Sequence, residues 1–326
     1  MSSCLGVDVS KAKVDVELLQ PSDKFRSKAF SNDHAGHQAL LQWLQVVLPD
    51  GWQQLHVCME STGSYHEALA CALHDRGLKV SVVNPLLVKR FAQSRGQRNK
   101  TDEADAKCLA WFARQMQPER WVAPSMSVRA LQALVARLDT LQEMRQAELN
   151  RRDVAHPSVA GSIAGVLEEL EGAIAQVKAQ IAQTIDDDPD LRRRAQLLDT
   201  IPGLGERTIA QLLAYIGNPQ RFKNVKALAA FAGLTPMIRQ SGSSLDKRRG
   251  THPMGHQELK RALYFPAMVA GRYNPLVAPF WQRLKEQGKP GLSIVVACMH
   301  KLLAIVFGVL RSGKPFNPDH LKPQAT

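Results

Sequence analysis

The amino-acid sequence predicts a multidomain protein of the α/β plus α class. Strand and helix patterns alternate through residues 1–120, which predicts an α/β sheet domain. Two long runs of apolar residues spaced three and four apart follow within 125–190, which predicts a helical arm. The remaining part, 191–326, is basic and has mostly helical patterns. We therefore expect three domains with these bounds.

The first domain is predicted to begin with a β-hairpin, because "CLGVDVS" and "AKVDVELL" are two short apolar runs in succession. Helices and strands then alternate as far as residue 115. The predicted elements are a helix at 37–48, a strand at 55–60, a helix at 66–77, a strand at 79–84 and a helix at 103–115. A hairpin followed by this alternation is typical of a sheet covered by helices.

The middle part is predicted to be a coiled coil or a long helical hairpin. Its apolar positions are Leu131, Leu134, Leu138 and Leu141, then Leu167, Leu170, Ile174, Val177, Ile181 and Thr184. Pro157 and Gly161 mark the turn between the two runs, and "DDDPD" ends the second. An ordinary helical bundle is the alternative; a long apolar seam favours pairing between subunits.

The third part opens with a predicted helix-hairpin-helix, "LLDTIPGLGERTIAQLLAYIG". Gly203 and Gly205 in its turn would allow backbone N–H groups to approach a phosphate, with the next helix N-terminus adding positive potential. The alternative is a plain turn between packed helices. Further on, "HQELKRALYFPAMVAGR" is expected to add phosphate or RNA contacts, with Tyr264 and Phe265 in the core.

Charge favours a nucleic-acid partner. The chain has 326 residues, a formal net charge of +12 and a pI of about 9.7, and such a balance is typical of proteins that bind polyanions. A soluble basic protein with no such partner is the alternative.

A cytosolic location is also expected. The N-terminus lacks the pattern of a signal peptide, and the most apolar stretch, 292–310, is interrupted by His300 and Lys301, so it is predicted to be a buried helix and not a membrane span. The five cysteines form no CxxC pair, which argues against a zinc module or a disulfide framework and predicts reduced thiols.

Four carboxylates carry the candidate chemistry: Asp8, Glu60, Asp102 and Asp105. Taken singly, each has an ordinary explanation. Asp8 could pair with Lys11 or Lys13, Glu60 could cap the next helix or lie exposed at a strand end, and Asp102 could be a helix N-cap with Asp105 in the first turn.

Taken together, two acids on strands and two on one face of a later helix can converge at one edge of the sheet. Four carboxylates in a basic protein suit two divalent hard cations, which promote phosphoryl transfer. The neighbouring Arg95, Arg98 and Lys100 would then meet a nucleic-acid backbone.

The motifs "GVDVSK", "MESTGSY", "RNKTDEADA", "IPGLGERT", "FAGLTP" and "SGSS", in this order, resemble the IS110 family of insertion-sequence transposases, the bridge-RNA-guided serine recombinases. The resemblance covers nearly the whole chain, and "RNKTD..DA" and "SGSS" are its most specific pieces. It implies a RuvC-like domain of the RNase H type, a coiled-coil arm and a helical transposase domain. It also implies that Asp8, Glu60, Asp102 and Asp105 form a DEDD set that binds magnesium, with two ions per site.

The resemblance further implies a catalytic serine, Ser241, that attacks a DNA phosphate and forms a phosphoserine link. The implied partners are donor and target DNA and a structured noncoding bridge RNA, and the implied assembly is a tetramer built from dimers. Spacing alone leaves Ser243 and Ser244 open as nucleophiles, and the serine would meet the acids of its own chain or of a neighbour. Charge developing on phosphorus could be offset by Arg239, Lys247, Arg248 or Arg249.

Two other functions remain as alternatives. In the first, the protein is a metal-dependent, structure-specific DNA nuclease of the junction-resolvase kind, with water as the nucleophile. In the second, it is a nucleic-acid-binding module with a degenerate nuclease fold, an interpretation that the complete set of four acids disfavours.

Overall fold

The computed structural model describes residues 3–49, 51–61, 65–96, 101–241, 245–251 and 255–321; for 236–241, 245–251, 320 and 321 it describes the backbone alone. The chain divides into two compact units, Met1–Ala123 and Pro124–Thr326. The finer division of the second unit into an arm and a transposase domain stays a prediction.

The first unit is built on a mixed five-stranded sheet. Its elements are β1 (Cys4–Val9), β2 (Lys13–Leu19), β3 (Phe25–Ser31), α1 (His34–Val47), β4 (His56–Glu60), α2 (Glu67–Asp75), β5 (Lys79–Val83), α3 (Pro85–Ser94) and α4 (Asp102–Met116). The strand order is β3-β2-β1-β4-β5, with β1, β2 and β3 antiparallel in turn and β1, β4 and β5 parallel. The predicted hairpin followed by an alternating α/β order is confirmed.

Two elements of this unit, β3 and α3, lie outside the sequence prediction. Strand β3 is at the sheet edge and most of its residues are exposed, so it has no need of the apolar alternation by which strands are recognised. Helix α3 buries a single residue, Val88, so its apolar period is weak.

The sheet has a core on each face. Residues of odd number in β1, such as Leu5 and Val7, share one core with α1 and α2. Cys4 lies on the other face in a smaller core with Cys58 of β4 and with residues of α3 and α4, among them Cys108. This alternation is the two-residue period of a strand, and it places Asp8 on the face that α4 covers.

Gly6 lets α4 lie directly against β1. A Cβ atom added at Gly6 would lie 1.9 Å from the carbonyl oxygen of Ala106 and 2.4 Å from the amide nitrogen of Ala110. Any side chain at this position would force strand and helix apart. The glycine therefore sets the distance between α4 and the sheet.

A buried polar pair joins the sheet to the segment that leaves the unit. His56 Nε2 lies 2.8 Å from Ser81 Oγ, and this oxygen contacts the carbonyls of Pro118 (3.1 Å) and Glu119 (2.8 Å). Burial, with a smaller effect of Lys79, lowers the pKa of His56 to about 4. The neutral imidazole is thus part of the folded state.

The second unit is mainly helical. It contains α5 (Met126–Arg152), α6 (Ala160–Asp187), α7 (Pro189–Asp199), α8 (Glu206–Ile216), α9 (Val225–Phe231), β6 (Pro236–Ser241), β7 (Leu245–Thr251), α10 (Gln257–Tyr273), α11 (Ala278–Glu286) and α12 (Gly291–Ser312). The β6 and β7 strands form an antiparallel hairpin. Short 3₁₀ turns lie at Trp52–Gln54 in the first unit and at Pro157–Val159, Pro219–Arg221 and Pro318–Leu321 in the second.

Helices α5 and α6 pack against each other through the predicted apolar positions. Leu131, Leu138 and Leu141 on α5, and Leu167, Ile174, Val177 and Ile181 on α6, are buried. The first turns of α5 also pack on α8, where Gln132 Nε2 donates to the Ala214 carbonyl at 2.9 Å. The base of this helix pair therefore belongs to the core of the unit, and its coiled-coil character stays a prediction.

Helix α12 is long and apolar enough to cross a membrane, by length and composition alone; it is the one such helix among the described residues. Its residues Cys298, Leu302 and Val306 are fully buried in the core that the helices of this unit share. The stretch is thus a core helix of the unit, as the sequence predicts.

The prediction for Phe265 is wrong. Its side chain is 72% exposed on α10, whereas Tyr264 packs partly against the core as expected. The buried stripe of α10 runs through Leu259, Leu263 and Pro266, and Phe265 lies outside it.

Replacing Gly6 by alanine is expected to destabilise the first unit by about 1–3 kcal/mol, because the new methyl group overlaps the backbone of α4. Thermal and urea unfolding followed by circular dichroism would measure the change. Gly51→Ala is the matched control, since a Cβ atom there would meet no atom within 4 Å. Equal stability of Gly6→Ala and Gly51→Ala would contradict the role given to Gly6.

Stability is also expected to fall on acidification because of His56. Its folded pKa lies below the ordinary value of 6.5, so its contribution is complete above about pH 6.5 and is lost as pH falls through about 4. The loss amounts to at most about 3 kcal/mol. Urea unfolding of the wild type and of His56→Gln at pH 7 and 4.5 would test this, with the exposed His34→Gln as control. The same change in stability between pH 7 and 4.5 in the wild type and in His56→Gln would rule the assignment out.

Candidate active site

Asp8 and Glu60 lie side by side at the ends of adjacent parallel strands. Val7 on β1 pairs with Met59 on β4, so the residues that follow them, Asp8 and Glu60, come next in the same register. Neighbouring strands are about 4.8 Å apart. Both residues are half-buried, and both lie on the face that α4 covers.

Helix α4 brings two more acids to this edge. Its first residue is Asp102, which is exposed, and Asp105 is half-buried one turn later. The N-cap is Thr101, whose Oγ1 accepts from the Ala104 amide at 3.2 Å. The alternative explanation of Asp102 as the N-cap is therefore wrong, and its carboxylate is left for another role.

The charges of these acids act on one another. The pKa of Asp8 is raised to about 6, first by burial and then by the nearby charges of Asp102, Asp105 and Asp15. Lys13, one of the two suggested partners of Asp8, forms an ion pair with Asp15 instead, at 2.6 Å. Three of the four predicted acids, Asp8, Asp102 and Asp105, are thus close enough for their charges to interact.

The charge of Glu60 also acts in this region, because it raises the pKa of two buried thiols. Burial raises the pKa of Cys58 to about 12, and the charge of Glu60 contributes. Burial raises the pKa of Cys108 to about 11, and Asp105 and Glu60 both add to this shift. Cys108 therefore lies within range of one acid from β4 and one from α4.

Sequence reasoning missed Asp15. It pairs directly with Asp8 across the β1–β2 hairpin and is a fifth carboxylate on this face. The pattern that could have revealed it is "KVDVELL", in which acids alternate with apolar residues in a strand that was already predicted to pair with the strand of Asp8.

Asn32 was also missed, and it ties together two segments that follow the acids. Its Nδ2 donates to the carbonyl of Ser10 (2.8 Å), just after β1, and to that of Tyr65 (3.1 Å), after β4. Its Oδ1 lies 2.9 Å from His37 Nε2. One amide side chain therefore fixes the chain downstream of both Asp8 and Glu60.

The chemistry of the acids fits a divalent cation. They offer oxygen ligands alone, which magnesium and calcium prefer, and their mutual repulsion is what a bound cation would relieve. In the arrangement described, no three His, Cys, Asp or Glu groups among the described residues lie close enough to hold one ion. The acids share one edge of the sheet without forming a closed coordination sphere.

Ser241 is the last residue of β6 and pairs with Leu245 of β7, so it lies at the end of the hairpin. The hairpin begins where two glycines touch: a Cβ atom added at Gly255 would lie 2.3 Å from the Cα of Gly233. His256 N also donates to the Phe231 carbonyl at 2.7 Å. Ser243, Ser244, Arg98 and Lys100 lie outside the described residues.

The glycine turn before α8 has a packing role. Gly203 has φ of +104°, which favours glycine, and a Cβ atom there would lie 3.0 Å from atoms of Ala270 on α10. Asn274 Nδ2 donates to the Pro202 carbonyl at 3.0 Å. Gly205 precedes α8 and is exposed. Phosphate contact by Gly203 and Gly205 stays a prediction.

Comparison with known proteins places this chain in a family. A family model described as Transposase, of the DEDD IS110 kind, matches residues 5–154, and one described as Transposase IS116/IS110/IS902 family matches 195–282. The pilin gene-inverting protein of Moraxella bovis is 34% identical over 315 residues, which cover 96% of this chain and 97% of that protein. The chain belongs to the IS110 family of transposases. It is a DNA transposase/recombinase enzyme.

Other matches are more distant. The insertion element IS110 43.6 kDa protein of Streptomyces coelicolor is 28% identical over 59% of this chain and 45% of that protein. The structure of Thermus thermophilus RuvC in complex with a Holliday junction substrate covers 37% of this chain and 100% of its own, at 14% identity and a TM-score of 0.28. The four acids fall in the first matched region of this IS110-family chain, and Ser241 falls in the second.

Magnesium is expected to bind the wild-type protein and to raise its melting temperature, because a cation relieves the repulsion among the acids. Asp8→Asn and Asp105→Asn should bind magnesium at least ten-fold more weakly in titration calorimetry. Asp75→Asn, an exposed acid on α2, serves as the matched control. Wild-type binding retained in Asp8→Asn would show that the ion lies elsewhere.

Proposed function

We propose that this transposase cuts donor and target DNA, exchanges strands and rejoins them through a phosphoserine intermediate on Ser241, with magnesium held by Asp8, Glu60, Asp102 and Asp105. In this proposal the first unit is a RuvC-like domain of the RNase H type. A bridge RNA guides the protein, which works in the bacterial cytoplasm as a tetramer built from dimers. The observation that carries the proposal is the convergence of the acids on one edge of the sheet in a chain of this family.

The serine step is a transesterification. Ser241 Oγ forms a bond to a DNA phosphorus, the bond from that phosphorus to a sugar oxygen breaks, and the released sugar oxygen takes up the proton that the serine gives up. Because one phosphoester replaces another, the reverse step rejoins DNA without an outside energy source. A serine hydroxyl needs activation for such an attack, and the proposal assigns this activation to the acidic site.

Magnesium at the acids would stabilise charge on the attacking and leaving oxygens. The chain's own contribution is to hold the acids in place: β1 and β4 set Asp8 and Glu60, and α4 sets Asp102 and Asp105. Asn32 restrains the segments that follow β1 and β4.

The backbone register of the hairpin supports a choice among the predicted cationic residues. Arg239 pairs with Lys247, Ile238 with Arg248 and Met237 with Arg249. Of these pairs, Arg239 and Lys247 are the nearest along the two strands to Ser241 and its partner Leu245. In the proposal, these two residues offset the charge that develops on the phosphorus.

The Moraxella bovis relative favours a recombinase over a nuclease. Its name describes inversion of a gene, and inversion requires that cut strands be rejoined. A nuclease that transfers phosphate to water releases its ends. By similarity along almost the full length of both chains, we extend the rejoining activity to this protein.

A covalent protein–DNA adduct is expected when the protein, its RNA and magnesium are incubated with a suicide DNA substrate. Denaturing gel electrophoresis would detect it in the wild type and in the matched controls Ser243→Ala and Ser244→Ala, but not in Ser241→Ala. An adduct that persists in Ser241→Ala would remove that residue as nucleophile. Cleavage without any adduct in the wild type would favour the metal-dependent nuclease, and an adduct formed equally without RNA would contradict guidance.

A further inference from the structure

We infer that the outer face of α10 binds an unpaired DNA strand. Phe265 and Tyr273 would stack on bases, and Arg261 and Arg272 would bind phosphates. These four residues together with Val269 are called the α10 face. The inference rests on the proposed function in one respect: cutting and exchanging strands must leave DNA bases unpaired near Ser241.

The solvent side of α10 carries large apolar groups. Beyond the first turn of the helix, the exposed residues are Arg261, Phe265, Val269, Arg272 and Tyr273. The side chains of Phe265 and Tyr273 are 72% and 71% exposed. The outer face of a surface helix is ordinarily polar, and an exposed apolar patch commonly marks a binding site. The α10 face therefore calls for a partner.

The five residues lie on one side of the helix. An interval of four separates each residue from the next in the series Arg261, Phe265, Val269 and Tyr273, and residues four apart are neighbours on a helix surface. Arg272 follows Phe265 by seven residues, which is about two turns. The two arginines are therefore about 16 Å apart along the helix axis, with aromatic groups between them.

The other side of α10 is fixed in the core of the second unit. Leu263 and Ala267 are fully buried. A Cβ atom added at Gly271 would lie 2.5 Å from the ring of Trp281 on α11, so the two helices are in close contact there. Because these contacts hold the helix, it cannot rotate to bury its outer face.

The ring of Phe265 also has local support. It meets the ring of Tyr264 at nearly a right angle, with centroids 5.4 Å apart, and Tyr264 packs against the core. Aromatic side chains have two rotatable bonds and lose little conformational entropy on binding. An exposed ring on a rigid helix is thus a suitable surface on which a base can stack.

Charge identifies the kind of partner. Arg261 and Arg272 are exposed, and neither forms an ion pair with any part of the chain that the structure describes. The one carboxylate of α10, Glu258 in its first turn, lies 3.2 Å from the imidazole of His256. The α10 face therefore offers aromatic rings and positive charge together. Nucleic-acid strands with unpaired bases have the matching flat apolar groups and phosphates.

The place where α10 begins favours DNA. The helix starts six residues after β7, which forms the hairpin with the strand that ends at Ser241. Gly255 contacts Gly233, and His256 N donates to the Phe231 carbonyl, so the first turn of α10 lies at the base of this hairpin. The proposed function places DNA at the hairpin. Bases in a duplex are already stacked on one another, whereas bases of a separated strand are free to stack on protein rings.

The experiment measures the affinity of full-length variants for a short single-stranded DNA by fluorescence anisotropy, with a duplex and an RNA of the same sequence for comparison. We expect Phe265→Ala and Tyr273→Ala each to weaken single-strand binding about ten-fold, which is within the range for loss of one stacked base. Affinity for the duplex should not change. Leu292→Ala is the matched control, because Leu292 is an apolar residue that is 67% exposed on α12.

Two further variants separate stacking on bases from docking of a protein. Phe265→Leu keeps an apolar side chain but has no ring, and it should bind single strands as weakly as Phe265→Ala does. Phe265→Trp should bind them as the wild type does. Wild-type affinity in Phe265→Leu would contradict stacking. If Phe265→Ala dissociates an oligomer in sedimentation velocity and leaves single-strand affinity unchanged, the α10 face is an interface between copies of the chain and the inference is wrong.

The arginines are tested through salt dependence. Arg261→Gln and Arg272→Gln should each reduce the slope of log K against log salt for the single strand by about 0.7, the value for one phosphate contact. Arg137→Gln, at an exposed position on α5, should leave the slope unchanged. Melting temperatures of all variants show whether a loss of affinity reflects unfolding. Wild-type slopes in both Arg261→Gln and Arg272→Gln would contradict the phosphate contacts.

The outcomes separate this inference from the proposed function. If the wild type forms the covalent adduct but Phe265→Ala and Tyr273→Ala bind single strands as the wild type does, the inference fails and the proposed function stands. If the wild type forms no adduct and its single-strand affinity still depends on Phe265, the proposed function fails and the α10 face remains a DNA-binding surface. A loss of affinity confined to the RNA would overturn the assignment to DNA.

Discussion

The contact between Gly6 and the backbone of Ala106 is the constraint on which the acidic site depends. Asp8 lies two residues after Gly6 on β1. On α4, Asp102 lies four residues before Ala106, and Asp105 lies one residue before it. Because the glycine has no side chain, α4 can lie directly on β1, which brings its first turn over the edge where Asp8 and Glu60 end their strands. The N-terminal end of the helix carries a partial positive charge, which eases the crowding of the acids.

This crowding of carboxylates costs stability. A half-buried carboxylate next to three other carboxylates is unfavourable when ionised, as the raised pKa of Asp8 shows. The protein neutralises Asp15 with Lys13 but leaves Asp8 among acids. Sites that perturb ionisation in this way are commonly functional. Here the unfavourable interaction is one that a bound cation would convert into affinity.

Sequence reasoning predicted the opening hairpin, the alternation of helices and strands after it and the placement of four acids at one edge of the sheet, because these follow from local patterns of residues. It missed Asp15 and Asn32, whose roles depend on pairing across the sheet and on hydrogen bonds to distant carbonyls. It missed β3 because an exposed edge strand has no apolar alternation. It did not predict that Thr101 is the N-cap of α4. Thr101 and Asp102 are both suitable N-cap residues, and the spacing of residues in the sequence does not determine which of them takes that position.

Glycines at close backbone contacts recur in the second unit, and two of them belong to the sequence motifs that resemble the family. Gly233 of "FAGLTP" touches Gly255, and Gly203 of "IPGLGERT" packs on Ala270. The first contact lies where β6 and β7 leave the core, so a side chain at either glycine would displace the base of the hairpin that ends at Ser241. The Gly233–Gly255 contact therefore fixes the start of the hairpin, whereas the contact of Gly203 fixes the turn before α8 against α10.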